Sequence, residues 1–116
     1  MPIGLETEER DGTLRASLSG ELDLASVPEV EARLLEIEAR ERPPQHLVID
    51  LRAVRFIDST GLSLLVNAHK RARLAGRRLT VVSGTGPPRR ILETTGLDRR
   101  LEIVEEEPGE GPSDSG

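Results

Sequence analysis

The sequence predicts an α/β fold: one domain with a mixed β-sheet, an N-terminal hairpin, and helices packed on the sheet. Three observations lead there. Asp11-Gly12 separates two strand-like runs and is a strong tight-turn signal. Two long helical patterns flank the apolar run Leu47-Val48-Ile49, as in a parallel β-α-β unit. The length, 116 residues, suits a single domain with a modest core.

The hairpin comes first. Leu14, Ala16 and Leu18 alternate with Thr13, Arg15, Ser17 and Ser19, the period of a half-buried strand. Leu5 to Glu9 supplies its partner. Ser26-Val27-Pro28-Glu29 then reads as a capping box, with Ser26 bonding the first turn and Glu29 reaching back. Pro28 is tolerated there because a first-turn N–H has no helical partner. Val27, Val30, Leu34 and Ile37 form the buried stripe of this helix. Glu29–Arg33 and Glu36–Arg40 are spaced as i,i+4 ion pairs on its wet side, and Pro43-Pro44 closes it. His46 to Leu51 is the central strand, expected to be covered on both faces.

The second helix is predicted over about Ser59 to Ala75, with Leu62, Leu65, Val66 and Ala72 facing the core and Ala68 nearby. Gly76 follows as its left-handed stop. Leu79 to Val82 is another buried strand. Ser83-Gly84-Thr85-Gly86 lacks the Lys of a phosphate-cradling loop and reads as a connecting turn. Pro87 to Thr95 is a short helix ended by Gly96, and Leu101 to Val104 a last strand. The domain is thus 1–104. Residues 105–116 are acidic, carry no large apolar side chain, and are expected to be a disordered, dispensable tail.

Composition narrows the function. There is no cysteine, hence no disulfide or thiol chemistry. Net charge is −5 and Phe56 is the only aromatic residue, so neither a phosphate backbone nor stacked bases find a surface. No apolar run spans a bilayer and no export signal stands at the start. The chain is expected to be soluble and cytoplasmic, without nucleic-acid or membrane partners. Charge is uneven. Residues 59–104 hold 9 basic and 3 acidic side chains, whereas residues 1–58 hold 7 and 13. Arg71, Arg73, Arg77 and Arg89 form either a solvated helix face or a surface that steers an acidic partner.

No catalytic constellation stands out. Gly61-Leu62-Ser63-Leu64-Leu65 fails the nucleophile-elbow pattern at its last position. His46 and His69 are isolated and lack metal-ligand spacing. No cofactor or metal is implied. The informative stretch is Asp58-Ser59-Thr60-Gly61, between strand and helix. Asp, Ser and Thr all cap helix starts. The same place offers an exposed hydroxyl where the helix field favours negative charge, and there a phosphate can be carried without unfolding anything. Both Ser59 and Thr60 remain acceptors on these grounds. Asp23, before the first helix, has its own two readings, local turn chemistry or partner contact.

Four stretches stand in order: Gly20-Glu21-Leu22-Asp23, Leu47-Val48-Ile49-Asp50-Leu51, Phe56-Ile57-Asp58-Ser59-Thr60-Gly61-Leu62 and Thr95-Gly96-Leu97-Asp98. In them, from about Leu5 to Val104, the chain resembles a stand-alone STAS domain of the bacterial anti-sigma factor antagonist family. The resemblance implies a non-enzymatic protein that binds an anti-sigma factor Ser/Thr kinase and frees a sigma factor. It singles out Ser59 as the phosphorylation site, served by that kinase and reversed by a phosphatase. It places Asp23, Asp58, Ser59, Thr60 and Gly61 on the partner surface. Asp58 is expected to be partly structural and Asp23 more purely interfacial. Gly61→Ala is expected to weaken binding and leave the helix intact. Two rivals are a STAS scaffold within a stress-signalling complex and a small-molecule or nucleotide-binding domain.

Overall fold

The computed structural model describes residues 3–107. β1 (Gly4–Arg10) and β2 (Thr13–Leu22) form the expected hairpin, joined by Asp11 and Gly12 with φ of 52° and 83°. Both angles are positive, as the commonest two-residue hairpin turn requires. α1 (Val27–Glu38), β3 (His46–Ile57), α2 (Ser59–Leu74), β4 (Arg78–Val82), α3 (Pro87–Thr94) and β5 (Glu102–Val104) follow, with a short 3-10 turn at Leu97–Arg99. The five strands lie in the order β1-β2-β3-β4-β5; the first pair is antiparallel and the rest are parallel.

Successive parallel neighbours joined by right-handed crossovers place every connecting helix on one face of a sheet. The core agrees. Leu14, Ala16 and Leu18 of β2 cluster with Val30, Leu34 and Ile37 of α1, Leu64, Leu65 and Ala68 of α2, and Leu92 of α3. No helix among the described residues is long and apolar enough to cross a membrane.

On the opposite face, Val48, Thr80 and Val82 are also buried, and polar side chains and the end of the described chain meet there. Arg15 meets Glu8 of β1 and donates to Glu107 at 2.9 Å. His46 and Thr80 hydrogen bond at 2.8 Å. Partial burial and Arg78 lower the pKa of His46, against the pull of Glu102 and Glu107. The buried Asp50 accepts from the Arg52 guanidinium at 2.7 Å. Burial pushes its carboxyl up, but the hydrogen bonds from Arg52 outweigh this and hold it below the usual range.

Several expected details change. The capping box does not form: Ser26 has helical backbone angles and makes no side-chain cap. Asp23 does that work, its Oδ1 accepting from the N–H groups of Ala25 and Ser26 at 3.1 Å each. On the wet side of α1, Arg33 reaches Glu36 and Arg40 reaches Glu9 of β1, in place of the expected pairs. The α2 stripe is Gly61, Leu64, Leu65 and Ala68, an i, i+3, i+4, i+7 set, and Leu62, Val66 and Ala72 flank it half-buried. β3 runs six residues past Leu51, because pairing with β2 continues to Leu22↔Ile57 through two register shifts. Glu105–Glu107, assigned above to the tail, lie against the domain: Gly84 N–H donates to the Glu105 carbonyl at 3.1 Å and Arg89 to its carboxylate at 2.9 Å. The rest of that tail lies outside the described residues.

Candidate functional site

The site forms where the end of β2, the turn before α1 and the start of α2 meet. Asp58 joins them. Its backbone is extended, its N–H donates to the Leu22 carbonyl at 3.2 Å, and it caps α2. Oδ1 accepts from the N–H of Gly61 and Oδ2 from the N–H of Leu24, both at 3.0 Å. One carboxylate thus satisfies a free donor of the α2 first turn and tethers the α1 turn. This geometry gives Asp58 a structural role that spans two elements where a simple cap serves one.

Asp23 is also built in. Besides its Oδ1 bonds, its carbonyl accepts from Ser26 N–H at 3.1 Å and Val27 N–H at 2.8 Å. Ser26 Oγ in turn accepts from Asp23 N–H at 3.0 Å and donates to the Glu21 carbonyl at 2.7 Å. The expectation that Asp23 is the more purely interfacial of the two is corrected in one respect: this half-buried residue also organises its own turn.

Gly61 needs a second correction. It is buried, and a Cβ on it would meet the Leu22 carbonyl oxygen at 2.5 Å and Ile57 Cγ2 at 2.9 Å. The close approach is internal, between the α2 start and the end of β2. A side chain there disturbs the fold, not only a contact with a partner.

Ser59 differs from these three. It is the first residue of α2 and is exposed, with Thr60 half-buried beside it. Capping falls to Asp58, so the Ser59 hydroxyl is not needed for it. The first-turn N–H groups and the helix dipole favour negative charge at this end.

Sequence reasoning missed Leu24. Its N–H is held by Asp58 while 72% of the residue is exposed. A large apolar side chain is thereby presented beside the α2 start. An apolar residue in a polar turn was the available signal, but its direction depends on the Asp58 bond 34 residues away in sequence.

The basic region is partly spoken for. Arg71 binds Glu31 at 2.8 Å and Glu38 at 2.7 Å, tying α2 to α1. Arg89 binds Glu93 and Glu105. Neither is an unclaimed cation, which leaves Arg73 and Arg77 to carry the partner-steering alternative.

Comparison with known proteins places this geometry. The STAS domain family matches residues 4–108. An anti-sigma F factor antagonist of Paenibacillus polymyxa is 31% identical over 107 residues, covering 92% of this chain and 91% of that protein. An anti-sigma-B factor antagonist of Staphylococcus aureus is 30% identical over 105 residues, covering 90% and 95%. The crystal structure of an anti-sigma factor antagonist from Mycobacterium paratuberculosis superposes with a TM-score of 0.81 at 32% identity, covering 90% of this chain and 86% of that one. With the mixed sheet, its N-terminal hairpin and one helical face, these matches show that the chain belongs to the STAS domain family.

Proposed function

We propose that the chain is an anti-sigma factor antagonist switched by phosphorylation of Ser59. Unphosphorylated, it binds an anti-sigma factor that is also a Ser/Thr kinase, and the sigma factor is released. The kinase places a phosphate on Ser59 and the complex separates; a phosphatase restores the hydroxyl. The chain serves as binding partner and substrate, and catalyses nothing.

The observation that carries this reading is the division of labour at the α2 start. Asp58 holds the scaffold with both carboxylate oxygens, while Ser59 stands exposed next to it. A phosphate there adds about −1.5 to −2 charges. The helix end tolerates them and Asp58 opposes them. Asp58 cannot turn away without giving up its two backbone bonds. The added charge therefore falls on the interface, which must desolvate a dianion where it met a neutral hydroxyl. A loss of about 3 kcal/mol weakens binding more than a hundredfold. Similarity to proteins named antagonists of anti-sigma factors supports the choice of partner.

The test is incubation with the cognate kinase and ATP, followed by peptide mapping and complex measurement. Phosphate is expected on Ser59 in wild type and in Thr60→Ala, and none in Ser59→Ala. Phosphate on Ser59→Ala, or full binding by the phosphorylated chain, overturns the reading.

A further inference from the structure

A second surface lies just ahead of Asp58 in sequence. Phe56, the only aromatic residue of the chain, is 52% exposed. It lines an open groove together with Arg55 and Ile57 of β3 and Pro87, Arg90 and Ile91 of α3. The apolar lining is Phe56, Ile57, Pro87 and Ile91. Arg55 and Arg90 are exposed, and among the described residues neither has a carboxylate partner. Arg71, Arg78 and Arg89 are all paired. The groove is thus apolar with two uncompensated guanidinium groups, and its charge complements an acidic ligand.

The start of α3 decides which kind of acidic ligand. A phosphate cradle needs free backbone N–H groups. Pro87 and Pro88 have none, and the Arg89 N–H donates to the Gly86 carbonyl at 3.1 Å. The charged groups left to meet negative charge are the two arginine side chains, with the neutral Thr85 and Thr94 beside them. Two separate cations around an apolar surface suit carboxylates spaced along a peptide better than one compact phosphate.

We propose that this groove docks an acidic peptide segment of another protein, anchored by one bulky apolar side chain packed on Phe56. The chain's own residues 108–116 fit less well, since Pro-Gly-Glu-Gly-Pro-Ser-Asp-Ser-Gly offers no such side chain. The docking does not depend on the phosphorylation of Ser59, so either reading can fail alone.

The test selects random twelve-residue peptides displayed on phage against the full chain. Synthetic copies of the enriched peptides are then titrated by fluorescence anisotropy. Enriched sequences should combine Asp or Glu with a Leu, Ile or Phe. Arg55→Glu, Arg90→Glu and Phe56→Ala should each weaken them about tenfold or more, while Leu74→Ala, distant in sequence and 90% exposed, should leave them unchanged. Thermal unfolding of each variant separates a lost site from a lost fold. Arg90→Glu, exposed and unpaired, is the deciding arm if Phe56→Ala unfolds. Enrichment of peptides without acidic residues overturns the proposal, as does affinity unmoved by Arg90→Glu. Much tighter binding after truncation at Glu107 overturns it too, because the chain's own C-terminal residues are then the occupant.

Discussion

Two helix starts in this molecule use similar residues for opposite ends. α1 begins with Asp23 and Ser26, α2 with Asp58 and Ser59. At α1 both residues are spent on the turn, and Ser26, 4% exposed, has its Oγ bonded to Glu21 and Asp23. At α2 the acid alone holds the backbone, and the serine after it stays exposed. A serine at a helix start is therefore no sign of a modification site by itself. What matters is whether a neighbour already supplies the cap. Substitutions that alter this division of labour test it, and their expected effects on folding descend in a definite order.

The largest effect is expected at Gly61, which lets α2 approach the end of β2 closely enough for Asp58 to serve both. A Cβ there meets a backbone oxygen at 2.5 Å, and backbone cannot step aside as a flexible side chain can. Gly61→Ala should destabilise the fold by about 3 kcal/mol, the upper range of overpacking costs. In a domain of this size that lowers Tm by more than about 10 °C. Urea unfolding measures it. A loss below about 0.5 kcal/mol would return Gly61 to a role in partner contact alone.

Next comes Asp58. Asp58→Ala removes a cap and a tether at once, and about 2 kcal/mol is expected from the two charge-assisted bonds. Asp58→Asn sharpens the comparison. An amide keeps one acceptor oxygen, so it can serve Gly61 or Leu24 but not both. Amide hydrogen exchange should quicken at one of these two N–H groups in Asp58→Asn and at both in Asp58→Ala. Equal protection of both in Asp58→Asn would show that the Leu24 tether carries no weight.

The same contrast explains what could be read from sequence. The hairpin, the β-α-β unit and the helix stops at Gly76 and Gly96 were legible because each depends on local chemistry: turn residues, period and left-handed φ, here 70° and 79°. The second half of β3 was not. After Leu51 it buries Val54 and Ile57, a spacing of three imposed by bulged pairing with β2 that no strand period announces. The α2 stripe was set one step aside because Gly61 does not look like a core residue. In the candidate site, the positions of Asp58 and Ser59 at the helix start were legible from local chemistry. Leu24 was missed, and the share of Asp23 in its own turn was underweighted, because both depend on hydrogen bonds that sequence spacing does not display.

A smaller effect is expected at the other helix start. Ser26→Ala leaves the Glu21 carbonyl and the Asp23 N–H without the hydroxyl that joins them at 2.7 and 3.0 Å. The site is buried, so about 1–2 kcal/mol is expected. Chemical denaturation gives the value. Kinase treatment of the native chain should put no phosphate on Ser26, and phosphate found there would break the contrast between the two serines.

Ser59→Ala should have the smallest effect on folding. The hydroxyl is exposed, lies one residue past the cap, and leaves Asp58 with both of its backbone bonds. Stability should stay within about 0.5 kcal/mol of wild type. A larger loss would mean that Ser59 shares the capping work and that the two helix starts are alike after all. Function at Ser59 should respond to charge and not to stability. Ser59→Ala keeps a small neutral surface, so partner binding should persist and become insensitive to kinase and ATP. Ser59→Glu puts one carboxylate beside Asp58. It should fold, since a negative charge in the first turn is favoured by roughly 0.3–1 kcal/mol against the repulsion of Asp58. It should bind less well than wild type but better than the phosphorylated chain, because it carries about half the charge. Calorimetric titration of the partner with the three forms places them on one scale. If Ser59→Glu binds as tightly as Ser59→Ala, charge at this position does not control the interface.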